Sequence, residues 1–254
     1  MVAAGAKPAG AADENSAAQA VRQMFNSIAP RYDLLNHLLS ANVDQLWWRR
    51  TARRFEEILA KPDAAILDIC CGTGDMTMAL LKLRPHGARP VVAADFARAM
   101  LSRGAQKVSG RAAVMLEADA LHLPLRSASL DLVVTAFGFR NLANYEAGLQ
   151  EFHRVLKPGG QLGILDFSEP GGLVGKAYAV YFRRVLPAIG RLVSGPAQGN
   201  KDDPYRYLPA SVGAFPAPPA MLRLMSAAGY TECAWQPYTF GIAGLYTAMR
   251  PPVV

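Results

Sequence analysis

Three acids stand where a chain could grip one elongated ligand: Asp68, Asp95 and Asp119. Asp68 sits in the run Ile66-Leu67-Asp68-Ile69-Cys70-Cys71-Gly72-Thr73-Gly74-Asp75. A short apolar stretch there ends in a glycine turn, and a helix-like segment follows at once. Gly72 and Gly74 lack Cβ atoms, so the backbone can take positive φ and a ligand can approach the main chain closely. Asp68 can fix that loop and meet a cationic ligand end. Asp95 follows Gly74 by 21 residues and closes the run Pro-Val-Val-Ala-Ala. A carboxylate at that distance can accept from both hydroxyls of a ribose, though it could also cap the next helix. Asp119, followed by Ala120, occupies the equivalent place one strand on. It could hold the amino edge of an adenine, with Phe96 or Leu121 against the ring.

The turn is not that of a dinucleotide site. It reads Gly72-Thr73-Gly74-Asp75-Met76-Thr77, without the third glycine of G-x-G-x-x-G. Thr73 and Asp75 can cap the helix, and Asp75 puts negative charge where a pyrophosphate would sit. A nucleoside that carries a positive charge and no phosphate suits these residues better. S-adenosylmethionine has adenine, ribose and a sulfonium.

The acids act together only if the strands bearing them lie side by side, and the pattern predicts that they do. Strand-like runs fall at residues 65–70, 90–95, 113–118, 130–136 and 161–167. Helix-like segments fall at 76–83, 98–108 and 145–156, the last closed by Lys157-Pro158-Gly159-Gly160. Apolar strands alternating with helices imply a Rossmann-like, doubly wound, mostly parallel α/β sheet covered on both faces. A helix at 219–229 and strands at 232–238 and 242–249 complete seven strands with a C-terminal antiparallel hairpin. Ahead of the first strand, residues 21–59 read as an aromatic-rich helical lid. Residues 171–216 read as a basic amphipathic helical insertion centred on 176–193. Residues 1 to about 18 read as a disordered tail, leaving 19–254 as one domain.

Bulk composition narrows the class. The 254 residues carry a net charge of +7, which suits an anionic partner or surface. No stretch interleaves basic residues with stacking aromatics on a reading element, so nucleic acid is not expected. The three cysteines, two of them adjacent, fit neither a disulfide framework nor a spaced zinc site. No metal is expected, and a reducing cytoplasm is. The N-terminal residues lack the sustained apolar core of a signal peptide, and no apolar run approaches ~18 residues. The sequence leaves a homodimer open.

The run Asp-Ile-Cys-Cys-Gly-Thr-Gly-Asp resembles the first motif of class I S-adenosylmethionine-dependent methyltransferases. More narrowly, residues 20–250 resemble the ubiquinone/menaquinone biosynthesis C-methyltransferase family. The specific matches are Tyr32-Asp33-Leu34-Leu35-Asn36 and Phe137-Gly138-Phe139-Arg140-Asn141. Arg154-Val155-Leu156-Lys157-Pro158-Gly159-Gly160, Asp166-Phe167-Ser168-Glu169-Pro170 and Tyr205-Arg206-Tyr207-Leu208-Pro209 also agree. The resemblance puts Thr73, Asp95, Asp119 and Ala120 on cofactor-binding positions, and Ala136 where the family often has Ser. Asp44-Gln45 and Tyr246 also depart from the usual residues.

The resemblance implies methyl transfer from S-adenosylmethionine to a ring carbon of a polyprenylated quinol. Demethylmenaquinol leads, with a methoxy-benzoquinol or a small-molecule O/N-acceptor as alternatives. On this reading Arg140 stabilises the quinol oxygen and Asn141 positions the ring. A structural ion pair between Arg140 and a nearby acid is the competing role. Tyr32 and Asp33 close over the cofactor, and His37 or His153 could take the proton. The basic insertion would meet an anionic membrane, making the protein peripheral on its inner face.

Overall fold

The computed structural model describes residues 5–6, 8, 11–31, 43–168, 170 and 204–253. Tyr32, Asp33, His37 and residues 171–203 of the expected insertion lie outside this set. Seven strands form one sheet: β1 (Ile66–Ile69), β2 (Val91–Asp95), β3 (Ala113–Glu117), β4 (Leu130–Ala136), β5 (Leu156–Phe167), β6 (Thr231–Tyr238) and β7 (Ala243–Met249). Their spatial order is β3-β2-β1-β4-β5-β7-β6. The first five run parallel, and β7 is antiparallel to both β5 and β6. This is the expected doubly wound sheet with a terminal antiparallel hairpin.

Period-two alternation sorts the strand residues onto two cores. Leu67, Ile69 and Val133 pack with Leu149, Phe152, Met221, Met225 and Tyr246. Ile66, Leu132, Val134 and Leu165 face the other way, against Trp47, Trp48, Phe55 and Leu59. Both faces of the central strands are thus dry, which is why β1 and β4 read as apolar runs.

Eight helices are described: α1 (Glu14–Ile28), α2 (Val43–Arg54), α3 (Glu56–Leu59), α4 (Asp75–Leu81), α5 (Arg98–Lys107), α6 (Tyr145–Val155), α7 (Pro204–Ala214) and α8 (Pro218–Ala227). Helix α1 begins inside the stretch read as tail. The reason is a capping box: the Ser16 amide donates to the Asp13 carboxylate at 2.8 Å, and the Asp13 amide donates to the Ser16 hydroxyl at 3.0 Å. Within the N-terminal helical segment, α1 brings Ala18 and Phe25 to the edge of the sheet. Helices α2 and α3 supply a core layer instead.

Strand β5 also starts earlier than expected. Leu130 pairs with Leu156 and Leu132 with Gln161, so the Lys-Pro-Gly-Gly turn is a bulge within the strand. The Gly159 amide donates to the Arg250 carbonyl at 2.8 Å, and the Arg250 amide to the Gly160 carbonyl at 2.9 Å. No helix among the described residues is long and apolar enough to cross a membrane.

Candidate active site

The carboxyl ends of β1 to β4 open onto a crevice. It sits where the chain switches from building outward on one side of β1 to building on the other, the usual ligand position in such sheets. Each strand tip contributes residues to it: Cys70 and Gly72 after β1, Asp95 and Phe96 at β2, Asp119 and Ala120 after β3, Ala136 and Phe137 at β4. Phe25 from α1 and Asn141 complete two walls.

The two central tips are built from unusual backbone. Cys70 has φ +56° and Phe137 φ +59°, both in the left-handed region that non-glycine residues rarely adopt. Such residues cluster at ligand sites because the surrounding structure must hold them there. Gly138 lets the two tips meet, since a Cβ at that position would stand 2.3 Å from the Cys70 Cβ. Gly74, at φ +87°, starts α4 without a side-chain cap.

Asp95 is buried and organises the glycine turn. One carboxylate oxygen accepts from the Gly72 amide and the other from the Ala97 amide, each at 2.8 Å. Burial pushes its carboxyl above the usual range, and the two amides pull it back. Asp119 is half exposed and accepts from the Leu121 amide at 2.9 Å.

Asp68, Thr73 and Gly74 are not part of the crevice wall. Asp68 is fully buried on the strand face opposite Leu67 and Ile69, and accepts from the Thr77 hydroxyl of α4. Burial pushes its carboxyl up to about 7, with the nearby Asp95 charge adding to the rise. Among the described residues its Oδ1 has no hydrogen-bond partner. Thr73 accepts from Lys107 Nζ at 3.2 Å, and Lys107 pairs with Asp75 at 2.8 Å, tying the loop to α5. Asp75 is thus neutralised by a lysine.

The arrangement favours a cation and disfavours phosphate. Among the described residues lining the crevice, the only charged side chains are Asp95 and Asp119. The Cys70 thiol is pushed well up, first by burial and then by the negative charges of Asp95, Asp68 and Asp119. Asp95 and Asp119, joined by Asp68 when it is ionised, make the potential at the β1 tip negative.

Arg140 does not line the crevice. It lies buried in a short 3₁₀ turn, Phe139–Asn141, that follows β4. Its Nη1 donates to Asp166 Oδ1 at 2.8 Å and to the Phe137 carbonyl, while its amide donates to Asp166 Oδ2 at 3.0 Å. Its guanidinium also lies over the Phe167 ring, 5.1 Å from the centroid. The structural ion pair weighed from sequence is therefore present, and its acid is Asp166.

Asn141, the next residue, does reach the crevice. Its Nδ2 donates to the Phe137 carbonyl at 3.3 Å, and its Oδ1 accepts from the Tyr207 hydroxyl of α7 at 3.1 Å. Burial pushes the Tyr207 hydroxyl up to about 12, so it remains a donor. His153 is away from the crevice, packed edge-on to Tyr230 with burial lowering its pKa.

Sequence reasoning assigned no role to Phe25, Cys70, Phe137 or Tyr207. Phe137 had a legible signal: it follows β4 as Asp119 follows β3. Tyr207 lies in a segment that matches the family, but its partner could not be read, because the contact to Asn141 spans 66 residues of chain.

Comparison with known proteins agrees with the geometry. The sequence matches the profile of the ubiE/COQ5 methyltransferase family over residues 13–250. The chain belongs to this family. This methyltransferase is 48% identical over 231 residues to the demethylmenaquinone methyltransferase of Thermus thermophilus, covering 90% of this chain and all of that one. It is 40% identical to the ubiquinone/menaquinone biosynthesis C-methyltransferase UbiE of Syntrophotalea carbinolica, covering 91% of this chain and 94% of the other. A solved S-adenosylmethionine-dependent methyltransferase from Aquifex aeolicus shares the fold with TM-score 0.55 at 17% identity, over 79% of this chain and 89% of that one.

The methyltransferase site fits its donor on its own residues. Asp95 can take a ribose diol on the lone pairs its two amides leave. Phe96, Ala120 and Leu121 offer apolar surface for a purine. The acidic potential around Cys70 suits a sulfonium.

Proposed function

We propose that this methyltransferase carries out C-methylation of a polyprenylated quinol, demethylmenaquinol to menaquinol. The observation that carries the proposal is the crevice itself. A wall of carboxylates without a cationic side chain, beside Phe25 and Phe96 on one flank, faces Asn141 and Phe137 on the other. The name of the Thermus thermophilus relative supplies the acceptor. When bound, S-adenosylmethionine would provide an electrophilic methyl group.

The chain's own residues then do three things. Asp95 and Asp119 orient the nucleoside, holding the methyl donor in one pose. Asn141 meets an oxygen of the acceptor ring, its amide braced by Tyr207 and the Phe137 carbonyl. Arg140 acts at one remove, as a positioning residue. With Asp166 it locks the turn that carries Asn141, in an interior that favours preorganised dipoles over water. Phe137 keeps water from the ring carbon that attacks. The enzyme works in the cytoplasm, at the membrane face where its lipid substrate resides.

The test is methyl transfer from a tritiated donor to short-chain demethylmenaquinol and, separately, to a methoxy-benzoquinol. Label in menaquinol is expected. Transfer to the benzoquinol alone would replace the acceptor assignment, and transfer to neither would end the proposal.

A further inference from the structure

One exposed surface combines features that a water-facing helix does not need. Helix α2 is divided lengthwise. Trp47, Trp48, Thr51 and Ala52 are buried, whereas Leu46, Arg49, Arg50 and Arg53 are exposed. The exposed residues recur at i, i+3, i+4 and i+7, so they form one stripe. Leu46 is 60% exposed at the head of that stripe.

Beside it stands Phe240, 83% exposed at the tip of the β6–β7 turn. Thr239, Phe240 and Gly241 all have positive φ, at 44°, 58° and 88°. Two of the three are not glycine, so the turn holds the ring outward against its own backbone preference. Surrounding contacts fix it there. The Trp47 indole donates to the Thr239 hydroxyl at 2.8 Å, and the Ser168 hydroxyl donates to the Gly241 carbonyl at 2.6 Å. The Arg50 guanidinium lies 4.4 Å over the Tyr238 ring. The turn and the stripe are therefore one contiguous surface.

Its position matters. Tyr238, Ala243 and Phe167 pair across β6, β7 and β5, so the turn projects from the carboxyl edge of β5. That is the edge that holds the crevice. Three aromatic rings link the two places. Trp47 lies 5.8 Å from Phe137 and 6.1 Å from Phe167, and Phe137 and Phe167 are 4.5 Å apart. Phe137 lines the crevice.

We infer that Phe240 and the Leu46–Arg49–Arg50–Arg53 stripe dock the protein on an anionic lipid bilayer, with the site edge turned to the membrane. Charge and shape both select this occupant. Exposed guanidiniums flanking an outward phenyl and a leucyl side chain match phosphate headgroups above acyl chains. The only acids adjoining α2 in sequence on its C-terminal side, Glu56 and Glu57, belong to the next helix, and Asp44 on α2 is buried. The inference rests on the lipid-acceptor reading above for its purpose, but binding can be measured without turnover.

The experiment is co-sedimentation of the full chain with phosphatidylcholine vesicles, with and without phosphatidylglycerol. Binding to the anionic vesicles at low salt, weakened in high salt, is expected. The double variant Arg49→Glu/Arg53→Glu should lose at least tenfold in partitioning, since each arginine near such a surface is worth roughly fivefold. Phe240→Asn should lose severalfold while keeping the fold, because Asn tolerates the left-handed region. Both variants should methylate a water-soluble short-chain acceptor at the wild-type rate and a vesicle-embedded one more slowly. Wild-type protein that ignores anionic vesicles, or variants that bind as wild type does, would overturn the inference. So would a wild-type dimer that Phe240→Asn dissolves, because a second copy would then own the patch. Vesicle binding without methyl transfer would sink the acceptor assignment and leave this surface standing.

Discussion

Asp95→Asn separates the two tasks assigned to one buried carboxylate. In the native protein its two oxygens each take a backbone amide at 2.8 Å, from Gly72 and Ala97. Asparagine keeps one acceptor and replaces the other with an NH₂ donor. One buried amide then faces a donor and loses its partner, which costs about 1–3 kcal/mol. For a chain of this size that lowers the melting temperature by roughly 2–12 °C. The ligand term is separate. A charge-assisted hydrogen bond to a ribose hydroxyl contributes about 1.5–3 kcal/mol, so its loss should weaken S-adenosylmethionine binding roughly 10- to 150-fold. Calorimetric titration of the folded variant reads the second effect, and thermal denaturation reads the first. A variant that melts lower but binds the donor within twofold of wild type would refute the ribose assignment. Asp95 would then be only the staple of the glycine turn.

Asp68 predicts two pH dependences. Its carboxyl is held up to about 7 in the folded chain, against 3.8 when unperturbed. The folded state therefore keeps a proton that the unfolded state has released, and this group's contribution to stability is lost as pH rises from about 4 to about 7, by up to roughly 4 kcal/mol. Chemical denaturation across that window should show the decline, and Asp68→Asn should flatten it. Ionised Asp68 favours a nearby cation, so donor affinity should rise up to about tenfold between pH 6 and 8, with a smaller change for the uncharged thioether product. Equal slopes for donor and product would contradict this. Asp166→Asn should cost about 3–5 kcal/mol in urea denaturation by leaving the buried Arg140 guanidinium without its carboxylate. It should lower kcat more than donor affinity; the reverse ranking would place Arg140 at the donor instead. Gly163→Ala would set a Cβ 2.6 Å from two ring carbons of Phe55, an overpacking that costs about 1–3 kcal/mol in thermal stability; an unchanged melting curve would contradict the close approach.

The sheet was legible because its central strands are dry on both faces. Ile66-Leu67-Asp68-Ile69 and Leu130 to Ala136 have no polar alternation to confuse the period, and the Gly72 and Gly74 turn marks where the first strand stops. Boundaries were less legible where a local signal competes with a tertiary one. Pro158 and Gly159 announce a break, yet Leu156 is already paired with Leu130 and the turn is only a bulge. Likewise, the alanine-rich N-terminus hides a helix start that depends on Asp13 and Ser16 alone. At the site, the acids at strand tips could be placed by counting. The supports could not. Asp166 reaches Arg140 across 26 residues, and Tyr207 reaches Asn141 across 66, so neither leaves a spacing to read.

That difference bears on how Arg140 is understood. A guanidinium beside a motif glycine invites the view that it touches the substrate, because positive charge would stabilise a quinolate. The geometry assigns its Nη1 to Asp166 and to the Phe137 carbonyl, and leaves its neighbour Asn141 on the crevice wall. A buried arginine paired with a buried aspartate adds no net charge, so the pair cannot act as a free cation toward a developing anion. It can fix two backbone turns at once: the left-handed Phe137 at the tip of β4 and the 3₁₀ turn that follows. Both contribute a wall to the crevice, one the aromatic ring and one the amide. On the proposed reading, the arginine serves catalysis through the accuracy with which Phe137 and Asn141 are held, and so through orientation of the acceptor ring.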